Sequence, residues 1–258
     1  MNENRTQVLS LGAGLQSSAL YLMAASGEID RPDFAVFADT QAEPSGVYQT
    51  LWNLGKVASD GGPPIYIASN GDLGTHCEEA ARNNDRASNP PLFTGSGSGI
   101  MRRKCTVDWK IFVIRREIKR VLGKDAQIDL WLGITTDEAH RMKPSRVQWV
   151  NHQYPLIDLN MRRSDVDAWF RDRGMVPPIA SACVFCPYRS DAEWRRMKSN
   201  DPQAFARAVK FDQVIRSGFS GQNEEPFVHR SCVPLGEVDF SENQQDLFGD
   251  ECSGICGV

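Results

Sequence analysis

The sequence predicts an α/β fold in which helices cover both faces of a doubly wound, mostly parallel sheet, followed by a smaller cysteine-bearing C-terminal region. Two observations predict it. Short apolar runs alternate with longer segments of helical spacing through residues 1–153, which is the pattern of repeated βαβ units. From about Tyr154 this alternation gives way to helices and loops that carry cysteines. We therefore divide the chain into an α/β domain, residues 1–153, and a C-terminal region, residues 154–258.

The elements follow in order along the chain. Each predicted strand is a short apolar run bounded by polar or turn residues, at 8–11, 34–38, 64–68 and 128–133. Each predicted helix is a longer stretch whose apolar residues recur at helical spacing, at 17–26, 45–59 and 106–122. Because helices separate successive strands, the strands are expected to pair in parallel.

Composition limits the class of protein. The 258 residues are 41% hydrophobic and 24% charged, as in ordinary globular proteins. No apolar run is long enough to span a bilayer, and no signal-peptide core follows the N-terminus, so we expect a cytoplasmic protein with no membrane partner. In that compartment the seven cysteines are expected to be ligands or reactive thiols rather than disulfides. The net charge of −4 argues against non-specific coating of nucleic acid, although local basic clusters remain.

The turn between the first predicted strand and helix is built almost entirely from small residues. Parallel sheets bind ligands at the carboxyl ends of their strands, and helix N-termini attract anions. Small residues there let backbone N–H groups and hydroxyls close around a phosphate or sulfate. The alternative is a tight turn with a serine-rich cap, since the turn matches neither the Walker A nor the dinucleotide pattern. The candidate binding residues are Ser10, Gly12, Gly14, Gln16, Ser17 and Ser18.

Four segments together resemble one family. Ser10-Leu-Gly-Ala-Gly-Leu-Gln-Ser-Ser18 resembles the PP-loop of the adenine nucleotide α-hydrolase superfamily, in the form of its phosphoadenosine-phosphosulfate (PAPS) reductase-like branch. Asp39-Thr40 resembles the DTG element of that family, with Gln41 in place of glycine. Residues 133–141 resemble its GxRxxES..R segment, and residues 154–170 its PL..W segment. The matches follow the order of the family and cover roughly residues 8–190.

The resemblance implies an ATP-binding fold with further site residues. By position in these segments, Asp39 is implied as a catalytic and nucleotide-binding residue, and Gly133, Asp137 and Arg141 as nucleotide-binding residues. Gln16 stands where PP-loop pyrophosphatases carry an aspartate. A neutral amide binds Mg²⁺ less well than a carboxylate does, so a Mg²⁺ ion would depend on Asp39 or Asp137.

The cysteines predict a metal centre. Cys183-Val-Phe-Cys186 is a C-x₂-C motif that can hold a metal twice from one loop. Cys105 resembles the position of a cysteine pair in adenylylsulfate reductases, which joins a later C-x₂-C around a [4Fe-4S] cluster. Thr106 replaces the second cysteine of that pair, and we choose Cys232 as the fourth ligand. A structural Cys₄ zinc site is the alternative, since spacing does not separate the two.

Two further cysteines lie close to the C-terminus. Glu251-Cys252-Ser-Gly partly resembles the reactive cysteine motif of sulfonucleotide reductases, but Cys256 follows where a histidine is usual. Two thiols suit a persulfide relay or a disulfide-forming release step, so Cys252 and Cys256 are candidate catalytic residues. The alternatives are a structural role or the fourth metal ligand.

The resemblance leaves three functions open. The first is an ATP pyrophosphatase-type sulfurtransferase with an iron–sulfur cluster, which activates a nucleic-acid phosphate for sulfur insertion, as in DNA phosphorothioation. Its implied partners are a cysteine desulfurase as sulfur donor and DNA or DNA-bound subunits, while the oligomeric state stays open. The second is a sulfonucleotide reductase acting on PAPS or adenylylsulfate. The third is a catalytically silent nucleotide-binding assembly subunit.

Overall fold

Strands and helices alternate along the N-terminal part of the chain. The computed structural model describes residues 5–95 and 99–241. Its strands are β1 (Thr6–Leu11), β2 (Phe34–Asp39), β3 (Ile65–Ser69), β4 (Phe93–Thr94), β5 (Ile128–Trp131), β6 (Val150–Gln153) and β7 (Pro226–Phe227). Its α-helices are α1 (Leu15–Ser26), α2 (Ser45–Ser59), α3 (Leu73–Arg82), α4 (Phe112–Leu122), α5 (Pro155–Asp158), α6 (Arg163–Asp172), α7 (Asp191–Asn200) and α8 (Pro202–Val214).

Five strands form one parallel sheet in the order β3-β2-β1-β5-β6. This confirms the α/β class and the parallel central sheet. The strand order runs outward from β1 on one side and resumes with β5 on the other. The carboxyl ends of β1 and β5 therefore border the crevice where such sheets bind ligands.

Helices cover both faces of this sheet. On one face, α1, α2 and α6 pack on the apolar side chains of β1 and β2, with Leu9 and Leu20 completely buried. On the other face, α4 packs mainly against β2 and β3, with Val113 and Ile118 completely buried. Within the described part of the chain, no helix has the length and apolar character that crossing a membrane requires.

A third apolar cluster joins the α/β domain to the C-terminal region. It combines Leu73 and Cys77 of α3 with Phe185, Trp194 and Phe211 of the C-terminal region. The rings of Phe185 and Phe211 stack with centroids 3.9 Å apart. The antiparallel pair β4–β7 ties the same parts together. The turn at 183–186 is thereby buried against the α/β part of the molecule.

Three local features differ from the sequence prediction. The predicted helix at 106–122 begins as a π-helical segment, Val107–Ile111, before α4 continues it. Strand β6 is not predicted by the sequence pattern because its residues, Val-Asn-His-Gln, are mostly polar, as befits an edge strand. Helix α3 is also absent from the prediction; Asp72 caps it by accepting a hydrogen bond from the Thr75 N–H at 3.1 Å.

Candidate functional site

A cleft opens where β1 and β5 end, and it collects most of the predicted binding residues. The predicted residues that line it are Ser10, Gly12, Gly14, Gln16, Ser17, Gly133 and Arg141. Three polar residues that are not among the predicted site residues also line it: Lys110, Arg163 and Ser181. Two of these three are cations, so the cleft combines a helix N-terminus with positive charge, which suits a polyphosphate.

The loop between β1 and α1 is held by its own hydrogen bonds. The Gly12 N–H donates to Ser17 Oγ at 3.1 Å, and the Ser18 N–H donates to the Gly14 carbonyl at 3.0 Å. Gly14 caps α1 in an extended conformation, and the first turn of that helix carries no acidic residue. Ser18 is fully buried and does not line the cleft, and its Oγ has no hydrogen-bond partner among the described residues.

Two glycines allow close packing around this loop. A Cβ on Gly133 would lie 3.0 Å from the Ser17 nitrogen, so glycine lets the end of β5 approach the start of α1. A Cβ on Gly14 would lie 3.0 Å from the backbone nitrogen of Ser181. The chain at 179–181 therefore lies directly on the loop. Ser181 Oγ has no hydrogen-bond partner among the described residues and faces the cleft, which makes it available to an anion.

Gln16 contacts the second predicted motif. Its side-chain nitrogen donates to Glu138 Oε2 at 3.1 Å, and Glu138 Oε1 pairs with Arg141 Nη1 at 2.8 Å. The side chains of Glu138 and Arg141 are both more than nine-tenths buried. An aspartate at position 16 would therefore face a buried carboxylate. The neutral amide of Gln16 can donate a hydrogen bond to this carboxylate, whereas a carboxylate at position 16 could not.

Asp39 and Asp137 do not line the cleft. Asp39, at the end of β2, accepts hydrogen bonds from the Tyr48 hydroxyl at 2.9 Å and the Gln41 N–H at 2.8 Å. Burial, followed by the bond to Asp39, raises the pKa of Tyr48. Asp137 accepts from the N–H of Arg163, the first residue of α6, at 3.2 Å. Desolvation works to raise the pKa of Asp137, but hydrogen bonds from Thr135, its own backbone and the Arg163 backbone hold it below its usual value.

A buried polar network runs from the cleft to the cysteine turn. Lys110 lines the cleft, and its Nζ pairs with Glu43 Oε1 at 3.1 Å. The same oxygen lies 3.4 Å from the Thr40 hydroxyl and 3.9 Å from Cys183 Sγ. Thr40 Oγ1 and Cys183 Sγ are also 3.4 Å apart. No sequence motif marks Lys110 or Glu43. For Glu43 the sequence does give one indication, because the residue follows the carboxyl end of β2, where parallel sheets bind ligands.

The predicted metal ligands lie in three environments. Cys183 and Cys186 share one turn, closed by a Cys186 N–H to Cys183 carbonyl bond of 2.9 Å, and both are buried. Cys105 packs against the same apolar cluster as Cys183. Cys232 has a positive φ of 53° and donates to the Thr94 carbonyl at 3.2 Å. Cys252 and Cys256 lie outside the described residues.

Among the residues that the structure describes, no group of three or more His, Cys, Asp or Glu side chains is placed to hold one metal ion. Burial of the two turn cysteines suits a metal ligand pair, while Cys232 is held by a backbone carbonyl. The [4Fe-4S] cluster and the zinc alternative both stay predictions.

A larger groove adjoins the cleft. Its volume is about 1630 Å³, and it shares Leu15, Arg163 and Ala180 with the cleft. The groove runs between α6, the segment at 176–180 and α7. Asp137 lines this groove rather than the cleft.

Comparison with known proteins adds no relative: the chain matches no protein-family model and no curated protein. Fold and site therefore define the class by themselves. It is a parallel α/β protein with a cleft lined by Lys110, Arg141 and Arg163 at the reversal of its strand order.

Proposed function

We propose that this chain is an ATP-dependent sulfurtransferase of the PP-loop ATP pyrophosphatase type, with the adenine nucleotide α-hydrolase fold of the PAPS reductase-like branch. Its acceptor in this proposal is a nucleic-acid phosphate, as in DNA phosphorothioation. The observation that carries the proposal is the buried network from Lys110 through Glu43 to Cys183, because it connects the cleft with one of the predicted cluster ligands.

The cleft supplies the groups that a triphosphate needs. The start of α1 offers backbone N–H groups, and the side chains of Lys110, Arg141 and Arg163 line the cleft beside it, the first two paired with Glu43 and Glu138. Ser181 Oγ adds a hydroxyl that is free to donate within the described residues. In the proposed complex the phosphates lie on the loop at 10–18.

The proposed reaction is an activation followed by sulfur transfer. A phosphate oxygen of the acceptor attacks the α-phosphorus of ATP, and pyrophosphate leaves. The terminal sulfur of a protein persulfide, supplied by a cysteine desulfurase, then attacks the activated phosphorus, and AMP leaves with the original oxygen. A second thiol cleaves the remaining sulfur–sulfur bond. Sulfur stays on phosphorus, and a disulfide forms on the protein. Cys252 and Cys256 are the proposed thiols.

The proposed cofactors follow from the sequence predictions. Mg²⁺ would neutralise the departing pyrophosphate. Gln16 is held by Glu138, so carboxylates for this ion would have to come from Asp39 or Asp137. A [4Fe-4S] cluster on Cys105, Cys183, Cys186 and Cys232 remains part of the proposal, together with DNA or DNA-bound subunits as partners.

One observation favours a second candidate, a sulfonucleotide reductase. Gln16 donates to Glu138 where a Mg²⁺-dependent pyrophosphatase carries an aspartate. A reductase needs no pyrophosphate-bound Mg²⁺, since a thiol attacks the sulfate sulfur and the nucleotide phosphate leaves.

The test is anaerobic incubation of the purified protein with ATP and an oligonucleotide, or with PAPS and a thiol. Pyrophosphate released from ATP, with sulfur incorporated into the oligonucleotide when a desulfurase is added, supports the sulfurtransferase. Sulfite released from PAPS supports the reductase and overturns the first proposal. Nucleotide binding with neither product indicates a silent assembly subunit.

A further inference from the structure

We propose that the groove beside the cleft binds the sugar–phosphate backbone of a nucleic-acid strand, with Arg162, Arg163 and Arg196 as its phosphate-binding residues. This inference rests on the proposed function, because it says how the acceptor of that reaction reaches the cleft. It gives roles to arginines that are not among the site residues implied by the resemblance.

The size of the groove indicates an extended ligand. Its volume of about 1630 Å³ exceeds the roughly 300–1,000 Å³ of pockets that hold one small molecule. The groove is also open to solvent. Such a shape suits a chain that enters and leaves, rather than a ligand that is enclosed.

Each carboxylate that lines the groove accepts a hydrogen bond from another group of the protein. Asp165 accepts the N–H of Arg162 at 2.8 Å, and Glu193 accepts the N–H of Ser190 at 2.9 Å. The other three acidic lining residues are likewise engaged: Asp137 by the N–H of Arg163, Asp167 by the guanidinium of Arg171, and Asp201 by Ser45 and Ala204. These acids therefore cap helix starts or pair locally.

Of the described residues, five arginines line the groove, and two of them are engaged: Arg171 by Asp167, and Arg189 by the Ala182 and Cys183 carbonyls. Arg162 and Arg196 are exposed, and their guanidinium groups make no hydrogen bond or ion pair with the described residues. Arg163 is half-buried and contributes its charge to the neighbourhood of Asp137. Arg162 and Arg196 thus present guanidinium donors that the described part of the protein does not use, whereas each lining carboxylate already accepts a hydrogen bond. Planar guanidinium donors match the geometry of phosphate oxygens, which is the chemistry of backbone recognition in nucleic acids.

Position links the groove to the proposed reaction. Arg163 lines both the groove and the cleft, as do Leu15 and Ala180. A strand held by Arg162 and Arg196 would therefore pass the mouth of the cleft, where a phosphate could meet the α-phosphate of a nucleotide on the loop. Arg162 and Arg196 line the groove and not the cleft. Substitution of these two residues can therefore test strand binding separately from nucleotide binding.

The experiment measures fluorescence anisotropy of labelled oligonucleotides of one sequence, as single-stranded DNA, duplex DNA and RNA, across a salt series. The test variant is Arg162→Gln/Arg196→Gln. The matched control, Arg31→Gln/Arg146→Gln, removes the same charge from two exposed arginines outside the groove. ATP binding is measured in parallel on all three proteins.

We expect the wild type to bind at least one of the three oligonucleotides, and the tightest-binding one identifies the acceptor. The test variant should bind at least about tenfold more weakly at fixed salt. Its log–log salt slope should fall by about 2, because each removed arginine leaves one phosphate without a neutralising charge. Its affinity for ATP should be that of the wild type. The control variant should retain both affinities.

Two results would overturn the proposal that the groove binds nucleic acid. One is equal binding by the test variant and the wild type, or an equal loss of affinity in the test and control variants. The other is absence of oligonucleotide binding by a wild type that still binds ATP. A wild type that binds oligonucleotides through the groove but neither binds nor cleaves ATP would instead overturn the proposed function and leave the groove supported.

Discussion

Lys110 and Glu43 form an ion pair that is buried on both sides, with Nζ 3.1 Å from Oε1 and side-chain exposures of 9% and 1%. Glu43 Oε2 has no hydrogen-bond partner among the described residues. Burial of the two charges costs a large desolvation free energy, which their mutual attraction offsets. Removal of one partner therefore leaves an uncompensated buried charge and is strongly destabilising. Here the pair also connects the cleft, which Lys110 lines, with Cys183, whose Sγ lies 3.9 Å from the same Glu43 oxygen.

The first prediction concerns removal of one partner of this pair. Lys110→Met leaves the Glu43 carboxylate buried and uncompensated, so we expect a loss of about 3–5 kcal/mol in the free energy of unfolding. Lys110→Met/Glu43→Gln should recover a large part of that loss. Urea denaturation measures both. The exposed pair Arg82–Glu78 provides the control, since its rupture by Arg82→Met should cost under about 1 kcal/mol. Equal losses at the two sites would contradict the prediction.

The second prediction concerns Gly133. A Cβ at this position would lie 3.0 Å from the Ser17 nitrogen and 3.1 Å from Gln16 Cβ, both fixed parts of the loop. Gly133→Ala should therefore displace the loop and weaken ATP binding by tenfold or more, as measured by isothermal titration calorimetry. The matched control is Gly55→Ala in α2, where a Cβ meets nothing within 4 Å. That change should leave binding unaltered and stabilise the helix by about 0.5–1 kcal/mol. Full affinity in Gly133→Ala would show that the loop does not hold the phosphates.

Sequence patterns predict the parts of this fold that are locally encoded. Strands β1, β2 and β5 are buried apolar runs, and the small residues between β1 and α1 mark a turn at the sheet edge. The mostly polar β6 carries no such signal, because its pairing with β5 depends on the sheet rather than on its own composition. The parallel sheet could thus be predicted, but its last edge strand could not.

The candidate site divides in the same way. The loop, Gly133 and Arg141 belong to contiguous motifs, so a linear pattern finds them. Glu43, Lys110 and Ser181 meet the cleft or its network from three separate segments, and only tertiary packing brings them together. Lys110 lies in a π-helical segment, which changes the side on which its side chain emerges relative to a regular helix. A helical projection of the sequence would misplace it.

The third prediction concerns Gln16. Replacing it with aspartate removes the donor to Glu138 and sets two carboxylates against each other, with Arg141 as their shared cation. We expect a loss of about 1–2 kcal/mol in the free energy of unfolding without Mg²⁺. Because carboxylates bind Mg²⁺ better than amides do, Mg²⁺ should restore more stability in Gln16→Asp than in the wild type. Thermal denaturation with and without Mg²⁺ measures this difference. Gln16→Ala, which adds no carboxylate, should show no extra response to Mg²⁺.

The fourth prediction concerns pH. Asp129 is a buried residue of β5, the strand that lies between β1 and β6. Desolvation works to raise its pKa, but hydrogen bonds from Gln7, Arg5 and Asn151 and the charge of Arg5 hold it below the usual value of 3.8. A lowered pKa in the folded state contributes stability at neutral pH that is lost as the pH falls below about 4. The stability difference between the wild type and Asp129→Asn should therefore be largest near pH 7 and shrink toward pH 3.

Urea denaturation across that pH range measures the Asp129 effect. The control is Asp30→Asn, an exposed aspartate on the loop before β2. If the difference between the wild type and Asp129→Asn stays constant with pH, the ionised carboxylate is not what stabilises the junction of the three strands.

The fifth prediction separates the two roles proposed for the last cysteines. If Cys252 and Cys256 carry sulfur, Cys252→Ser/Cys256→Ser should bind ATP as the wild type does and release pyrophosphate, but it should transfer no sulfur to an oligonucleotide. Metal content, measured after anaerobic purification, should be unchanged. Cys232→Ser is the comparison, because Cys232 is the residue chosen as fourth ligand and its thiol donates to the Thr94 carbonyl. Loss of metal from the double variant, but not from Cys232→Ser, would assign the fourth ligand to one of the last cysteines. Sulfur transfer that survives in the double variant would leave these two thiols without a part in the reaction.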